Sequence, residues 1–274
     1  MSRDLQDMFK FYDEVKDDLK FFVSSEVRAK ILISLSEGSK DLAGLKNEIH
    51  LSSSTILHGM YQLEQKDIIV RKSGNYSLSQ TGEIIADKLI DMIRALYALN
   101  KCENLFLNHE IGSIPPELLK DVGCLKNALI VRSTSTDIMR PYNVLSEFLS
   151  GSRNVKHLSS VFFMPNVKKL LENPDRNGMV HLLLTEEILN KLLEVVDQES
   201  IDEGLSSGNF KLGIIEDDTR ISFTQGDNFM ALGLFTDDGA YDLNISLISE
   251  CEDAIEWGER LFNYHLNLST EFRL

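Results

Sequence analysis

The stretch from Leu51 to Leu78, LSSSTILHGMYQLEQKDIIVRKSGNYSL, constrains this chain more than any other. Ser52 or Ser53 is placed to cap a helix, because a short hydroxyl side chain can accept from an unpaired N–H of the first turn. Ile56, Met60 and Leu63 then recur at i, i+4 and i+7, so one face of that helix must be buried. The positions left outside are Ser54, Thr55, His58, Gly59 and Gln62, with no acid before Glu64. Ile68 to Lys72 reads as a strand, Ser73-Gly74-Asn75 as a turn, and Tyr76 to Leu78 as the return strand.

The residues before this stretch build a platform for it. Asp4 to Phe22 carries apolar residues at helical spacing over a broad face, suited to packing on the module or on a second subunit. Ser25 caps a second helix whose stripe is Val27, Ile31, Leu32 and Leu35, ended by Gly38. A short helix through Leu42, Leu45 and Ile49 follows, and His50-Leu51-Ser52 is a tight link to the next. Two helices joined by a short turn, the second with a polar and uncharged outer face, form a helix-turn-helix arrangement. That pattern implies double-stranded DNA as the partner. Ser53, Ser54, Thr55, His58 and Gln62 would face the groove; Arg71, Lys72, Asn75 and Tyr76 on the hairpin would reach the adjacent backbone or minor groove. The helix has no arginine for bidentate contact with guanine, so the hairpin must supply most of the phosphate-binding charge.

Net charge follows the same division. Residues 1–100 hold 13 Lys and Arg against 15 Asp and Glu; residues 101–274 hold 15 against 28. The acidity therefore belongs to the second part, where it would repel a duplex and turn the near-neutral first part toward it. The charged N-terminus has no apolar signal-peptide core and no run of about 18 apolar residues exists, which predicts a cytoplasmic protein without a membrane partner. Cys102, Cys124 and Cys251 are too scattered for a zinc site or a disulfide framework, and reduced thiols are expected.

Thr81-Gly82-Glu83 opens a helix reaching about Glu103, longer than a three-helix core needs and suited to a dimer seam. Pro115-Pro116 opens another, so a boundary lies nearby. Beyond Leu125, strands are expected at Ala128–Arg132, Val155–Phe163, Met179–Thr185 and Phe210–Ile215, and helices at Tyr142–Leu149, Val167–Leu171 and Glu186–Val196. Close-spaced strands follow at Arg220–Phe223, Met230–Phe235 and Tyr241–Ser246, with Asp237-Asp238-Gly239-Ala240 as a hairpin turn and a last helix from Glu252.

The motif SSSTILHGMYQLEQKDII, the hairpin, and LSQTGE after it resemble the winged helix-turn-helix regulators of the ArsR-like kind. NHEIGSIPPELL at 108–119, VFFMP at 161–165 and the passage from FTDDGAYD to AIEWGERLFNY at 235–264 resemble archaeal, mainly methanogen, regulators. Those pair such a winged helix with the middle domain of the methanogenesis regulatory protein. One departure is Phe106, where the resemblance would lead one to expect Trp. The resemblance implies DNA binding as a homodimer, with the second domain as an interaction surface or as sensor of an unidentified small-molecule or protein effector.

The expected fold class is α+β with an α/β part. Residues 1–80 form a winged helix, 81–124 a linker and dimerisation helix with its boundary segment, and 125–274 an α/β domain. That domain also resembles half of the phospholipase D fold, whose His-x-Lys-x4-Asp motif needs histidine as nucleophile. In register, this chain has Asn209, Lys211 and Glu216, so no such chemistry is expected.

Several features read as structural. His109 beside Glu110 lacks a third ligand, His181 alternates with apolar strand residues, and His50, His157 and His265 carry no signal. Asp217-Asp218 and Asp237-Asp238 fit acidic turns rather than a metal site. Phe162, Phe163, Met164, Phe229, Met230 and Phe235 are expected in the sheet core rather than around a pocket. No nucleotide-binding or serine-esterase motif is present, and neither cofactor nor metal is expected. Two rivals to the regulator remain at this point: a phospholipase D-like phosphodiesterase, and a protein-interaction adaptor that does not bind DNA.

Overall fold

A computed structural model describes residues 3–163, 165, 178–196, 204–206 and 208–272. The expected helix at 167–171 and Met164 lie outside these residues. The chain divides into two compact units, Met1–Ile93 and Arg94–Leu274, and the division falls inside the helix Gln80–Lys101.

The first unit contains α1 (Arg3–Val23), α2 (Glu26–Ser36), α3 (Leu42–Ile49), α4 (Ser53–Glu64), the hairpin β1 (Ile69–Lys72) and β2 (Asn75–Leu78), and most of α5 (Gln80–Lys101). Each short helix is capped by the residue its sequence offers. Ser25 accepts from the Arg28 N–H, Asp41 from the Gly44 N–H, and Ser52 from the Thr55 N–H. His50 ends α3 in the left-handed region at φ 57°, which makes the link to α4 tight. Ile31, Leu32, Leu45, Ile56, Met60, Leu63 and Ile69 are fully buried together. Each such side chain contributes about 1.5–3 kcal/mol of hydrophobic stabilisation.

Gly59 is buried rather than outward-facing: a Cβ there would stand 2.8 Å from Val27 Cγ1 and 3.0 Å from Ile31 Cδ1. The crossing of α2 over α4 takes that position for close packing. Gly82 has a similar part at the start of α5, where a Cβ would come within 2.0 Å of the Ile68 carbonyl oxygen.

The second unit begins with α6 (Glu103–Leu107), α7 (Pro116–Lys120) and a 3-10 turn at Val122–Asn127. Then come β3 (Leu129–Arg132), α8 (Arg140–Ser150), β4 (Val155–Ser159), β5 (Val180–Thr185), α9 (Glu186–Val195) and β6 (Phe210–Ile215). The unit closes with β7 (Ile221–Gln225), β8 (Met230–Leu234), β9 (Ile245–Ser249), α10 (Glu252–Leu268) and β10 (Thr270–Glu271). Eight strands form one sheet in the order β10-β6-β5-β4-β7-β8-β9-β3, with β4, β5 and β6 mutually parallel and the remaining pairs antiparallel.

Alternation along the strands divides two cores, as a period of two requires. Leu158, Leu183 and Phe223 join Trp257, Leu261 and Phe262 of α10 on one face, with Leu105, Leu118 and Leu125. Leu182 and Leu184 join Leu149 of α8 and Ile188, Leu189 and Leu192 of α9 on the other. Trp257 donates from Nε1 to the Leu118 carbonyl at 2.9 Å. Phe106 packs against that first core, filling the space with another aromatic.

Two strands differ from expectation for local reasons. The strand from Val155 stops at Ser159, not Phe163, because the Ser159 hydroxyl turns onto the Val161 backbone. The strand expected over Tyr241–Ser246 begins only at Ile245, because the Asp242 carboxylate accepts from the Asn244 N–H at 2.8 Å and makes an Asx turn.

Candidate nucleic-acid interface

The exposed face of α4 begins with a hydroxyl cluster. Ser52 Oγ lies 2.9 Å from Ser54 Oγ and 2.7 Å from Thr55 Oγ1, with Ser54 and Thr55 exposed and Ser53 half-buried. These hydroxyls stand at a helix N-terminus, where unpaired N–H groups and the helix dipole favour an anion. One turn on, His58 is exposed and Gln62 is half-buried.

Gln62 is not a free reader. Its Oε1 accepts from Arg28 Nη1 at 2.7 Å, and its Nε2 lies 3.1 Å from His58 Nε2. An arginine can only donate, so the amide oxygen must face Arg28 and the amide nitrogen must face His58. His58 therefore accepts at Nε2 and carries its hydrogen on Nδ1. Arg28 is held in turn by the Phe21 carbonyl, 2.8 Å from its Nε, and by the Phe21 ring, 4.2 Å from its Cζ. A series of contacts from Phe21 through Arg28 and Gln62 thus sets the tautomer of His58.

The hairpin is tighter than its sequence suggests. Ser73 and Gly74 alone make the turn, at φ 51° and 89°, and Asn75 pairs with Lys72 as the first residue of β2. Positive φ at both central residues matches the turn type that follows the natural twist of a two-stranded ribbon. Arg71, Lys72 and Asn75 are exposed.

Tyr76 is a correction. It is 4% exposed and belongs to the first unit's core, so its side chain does not project toward a duplex. Its backbone exchanges two hydrogen bonds with Lys40, at 2.9 and 2.8 Å, adding a third chain to the ribbon. The Arg71 guanidinium lies 5.3 Å from the Tyr76 ring, so the tyrosine is a platform for that cation.

Two residues on the α4 surface escaped the sequence reading. Tyr61 is 58% exposed and Leu57 44% exposed. Tyr61 lies three residues after His58 and so shares its face; the spacing was the available signal. Arg28 left no such signal, because its partner is 34 residues away on another helix.

Lys211 lies near the start of β6, Asn209 precedes that strand and Glu216 follows it, all three exposed. Asn209 stands where the motif needs a histidine, and a side-chain amide cannot act as that nucleophile. His109 is buried, with Nδ1 2.8 Å from the Leu105 carbonyl and Nε2 3.2 Å from Asp242 Oδ2. His181 packs edge-on against Phe262 at 5.1 Å, and burial with Lys211 and Lys156 nearby holds its pKa low. Asp238 caps its own turn through the Ala240 N–H and the Thr236 hydroxyl. Phe229, Met230 and Phe235 are buried in the sheet cores, whereas Phe162 and Phe163 line a cavity. The three cysteines form no disulfide; burial pushes the Cys102 and Cys124 thiols up. Among the described residues no group of three or more His, Cys, Asp and Glu side chains could hold a metal, and no helix is long and apolar enough to cross a membrane.

Comparison with known proteins follows the same two-part division. The model of the methanogenesis regulatory protein FilR1 N-terminal domain matches residues 16–97, and that of the FilR1 middle domain matches 138–268. The methanogenesis regulatory protein FilR1 of Methanothrix harundinacea (strain 6Ac) is 29% identical over 256 residues, which are 92% of this chain and 57% of the relative. The chain thus spans little more than half the length of that relative. Among solved structures, the archaeal chromatin protein TrmBL2 aligns over 90% of this chain and 94% of its own at 15% identity, with a TM-score of 0.43. The phospholipase D family member Nuc from Salmonella typhimurium aligns over 54% of this chain and 99% of its own at 12% identity, with a TM-score of 0.37. Matched in both of its parts by the two domain models, the chain belongs to the FilR1 family of archaeal regulatory proteins.

Proposed function

We propose that this protein is a cytoplasmic transcriptional regulator that binds double-stranded DNA as a homodimer, with its second unit as the sensor of an effector. The observation that carries this reading is the outer face of α4. It presents Ser54, Thr55, His58 and Tyr61 without an acid, next in sequence to a hairpin that exposes Arg71 and Lys72. In this reading α4 enters the major groove, with His58 Nδ1–H donating to a base-edge acceptor, and Arg71 and Lys72 meet flanking phosphates. Tyr61 and Leu57 add apolar surface suited to a thymine methyl or a sugar.

The dimer reading is supported by apolar surface on two helices. Met8, Phe9, Phe11 and Tyr12 of α1 are each more than half exposed, as are Ile84, Leu96 and Tyr97 of α5. Two copies would also supply the affinity that one cation-poor interface lacks. Because α5 has residues in both units, it is the continuous element able to carry a change of state from sensor to DNA. A differential affinity of ~1–3 kcal/mol between two states would make a usable switch. Asn209 in the place of the nucleophilic histidine supports a regulator over a phosphodiesterase.

An electrophoretic shift on the protein's own upstream region, with and without excess nonspecific duplex, tests the reading. A shift that survives the competitor is expected. Absence of any shift, with the dimer intact, would leave the adaptor in its place.

A further inference from the structure

A cavity of about 70 Å³ opens on the sheet face that α8 and α9 cover. Leu145 of α8, Ile188 of α9, Leu184 of β5 and Phe162 give it apolar walls, and among the described residues none that lines it is a lysine or arginine. Three of the polar residues that line it are already engaged. His157 Nδ1 lies 2.9 Å from Thr224 Oγ1, and the Ser159 hydroxyl is turned onto the Val161 backbone. Asp242 Oδ2 faces His109 Nε2 at 3.2 Å, and its Oδ1 accepts from the Asn244 N–H and side-chain amide. Burial raises the Asp242 pKa, but these hydrogen bonds more than offset it and hold the carboxyl below its usual range. A ligand carboxylate or phosphate would find no cation among the described residues, and an ammonium would have to displace the partners of Asp242. Either charge would lose its water without replacement.

One wall is different, and its construction is specific. Gly233 on β8 pairs in register with Ser222 on β7. A Cβ at Gly233 would stand 2.1 Å from the Tyr241 hydroxyl oxygen and 2.8 Å from its Cζ, so the missing side chain is the space the phenol occupies. There the Tyr241 hydroxyl meets the Ser222 side chain, and burial of that hydroxyl pushes the phenol up although the residue as a whole is only half-buried. Two neighbouring hydroxyls on the cavity wall keep lone pairs and rotatable hydrogens, enough for a further hydrogen bond. An all-apolar cavity would need no such pair.

We propose that this cavity binds an uncharged small molecule with a compact apolar body and a single hydroxyl or carbonyl head, which the Tyr241–Ser222 hydroxyl pair receives. The site deepens the regulatory reading above, since its occupancy would be the signal sensed. Its volume is below the ~150 Å³ of an engineered cavity that accepts benzene, so the body is a few carbons across.

Methyl-labelled full-length protein, titrated with 1-butanol, butyrate and butylammonium and followed by NMR, tests this. Butanol is expected to shift the methyls of Leu182, Leu184, Ile188 and Ile245 saturably, and the two ions to leave them in place at equal concentration. Ser222→Ala should weaken butanol binding about fivefold, the value of one hydrogen bond. Gly233→Ala, which displaces the phenol, should weaken it further; if that variant does not fold, Ser222→Ala alone decides. Equal shifts from all three probes, no saturation with butanol, or unchanged affinity in a folded Ser222→Ala would each overturn the proposal. Saturable butanol binding in a protein that shifts no DNA would support the site while overturning the regulatory reading.

Discussion

Arg28 on α2 donates from Nη1 to Oε1 of Gln62 on α4 over 2.7 Å, and that bond decides which atoms the neighbouring His58 offers outward. The residue that sets this part of the exposed face of α4 is thus not on α4. Arg28→Ala should free the Gln62 amide to rotate, relaxing preference at the base pair opposite His58 while leaving the salt dependence of binding unchanged. Loss of its hydrogen bonds should also lower the unfolding free energy by ~1–2 kcal/mol. Binding-site selection with the variant, beside urea denaturation, checks both; an unaltered base preference would separate Arg28 from recognition.

Arg71 and Lys72 are exposed side by side on β1. Replacing both with Ala should weaken binding to every sequence and reduce the slope of log K against log salt by about 0.9 for each phosphate that is no longer neutralised. A slope equal to that of the parent protein would remove the hairpin from the interface.

Tyr76 tests the opposite expectation. Being buried, it should cost about 3–5 kcal/mol when truncated to Ala, and Arg71 would lose the ring beneath it. Tyr76→Phe keeps the ring and should retain DNA affinity. A drop in affinity for the Phe variant would mean that the hydroxyl itself reaches the duplex.

Phe9 and Tyr12 of α1 are exposed on one helix. Changing both to Glu should convert a dimer to monomer in sedimentation and reduce DNA affinity, because a monomer can engage only one half-site. A variant that still sediments as the parent would remove α1 from the proposed seam.

His157 is buried and its pKa is lowered to about 4, mainly by desolvation of the charged form. The unfolded chain binds that proton near pH 6.5 and the folded chain only near pH 4. The stability contributed by the neutral imidazole is therefore complete above pH 6.5 and falls as pH drops toward 4, by up to about 3 kcal/mol. His157→Asn should flatten that limb of the stability–pH curve. An identical curve in the variant would assign the acid sensitivity elsewhere.

Elements whose logic is local were legible. Ser25 and Ser52 cap the helices that their positions predict, and the Ile56, Met60 and Leu63 stripe is buried as its spacing demands. The strands over 129–132, 180–185 and 210–215 fall close to where apolar runs place them. Where side chains turned back onto the backbone, at Ser159 and Asp242, apolar runs overstated the strands. A hydroxyl or carboxylate that satisfies a nearby N–H competes with the ladder, and a hydropathy pattern does not register that competition.

The sequence by itself determined the winged helix, the uncharged face of α4, the cations of β1 and the acidic second unit, because those follow from periodicity, capping and charge. Only the tertiary structure decided that Tyr76 is buried beneath Arg71 and that Gln62 answers to Arg28. It also decided that Gly233 makes room for Tyr241. Each of these depends on which residues distant in sequence are brought within a few ångströms, and burial and hydrogen-bond direction are properties of that neighbourhood rather than of the residue type.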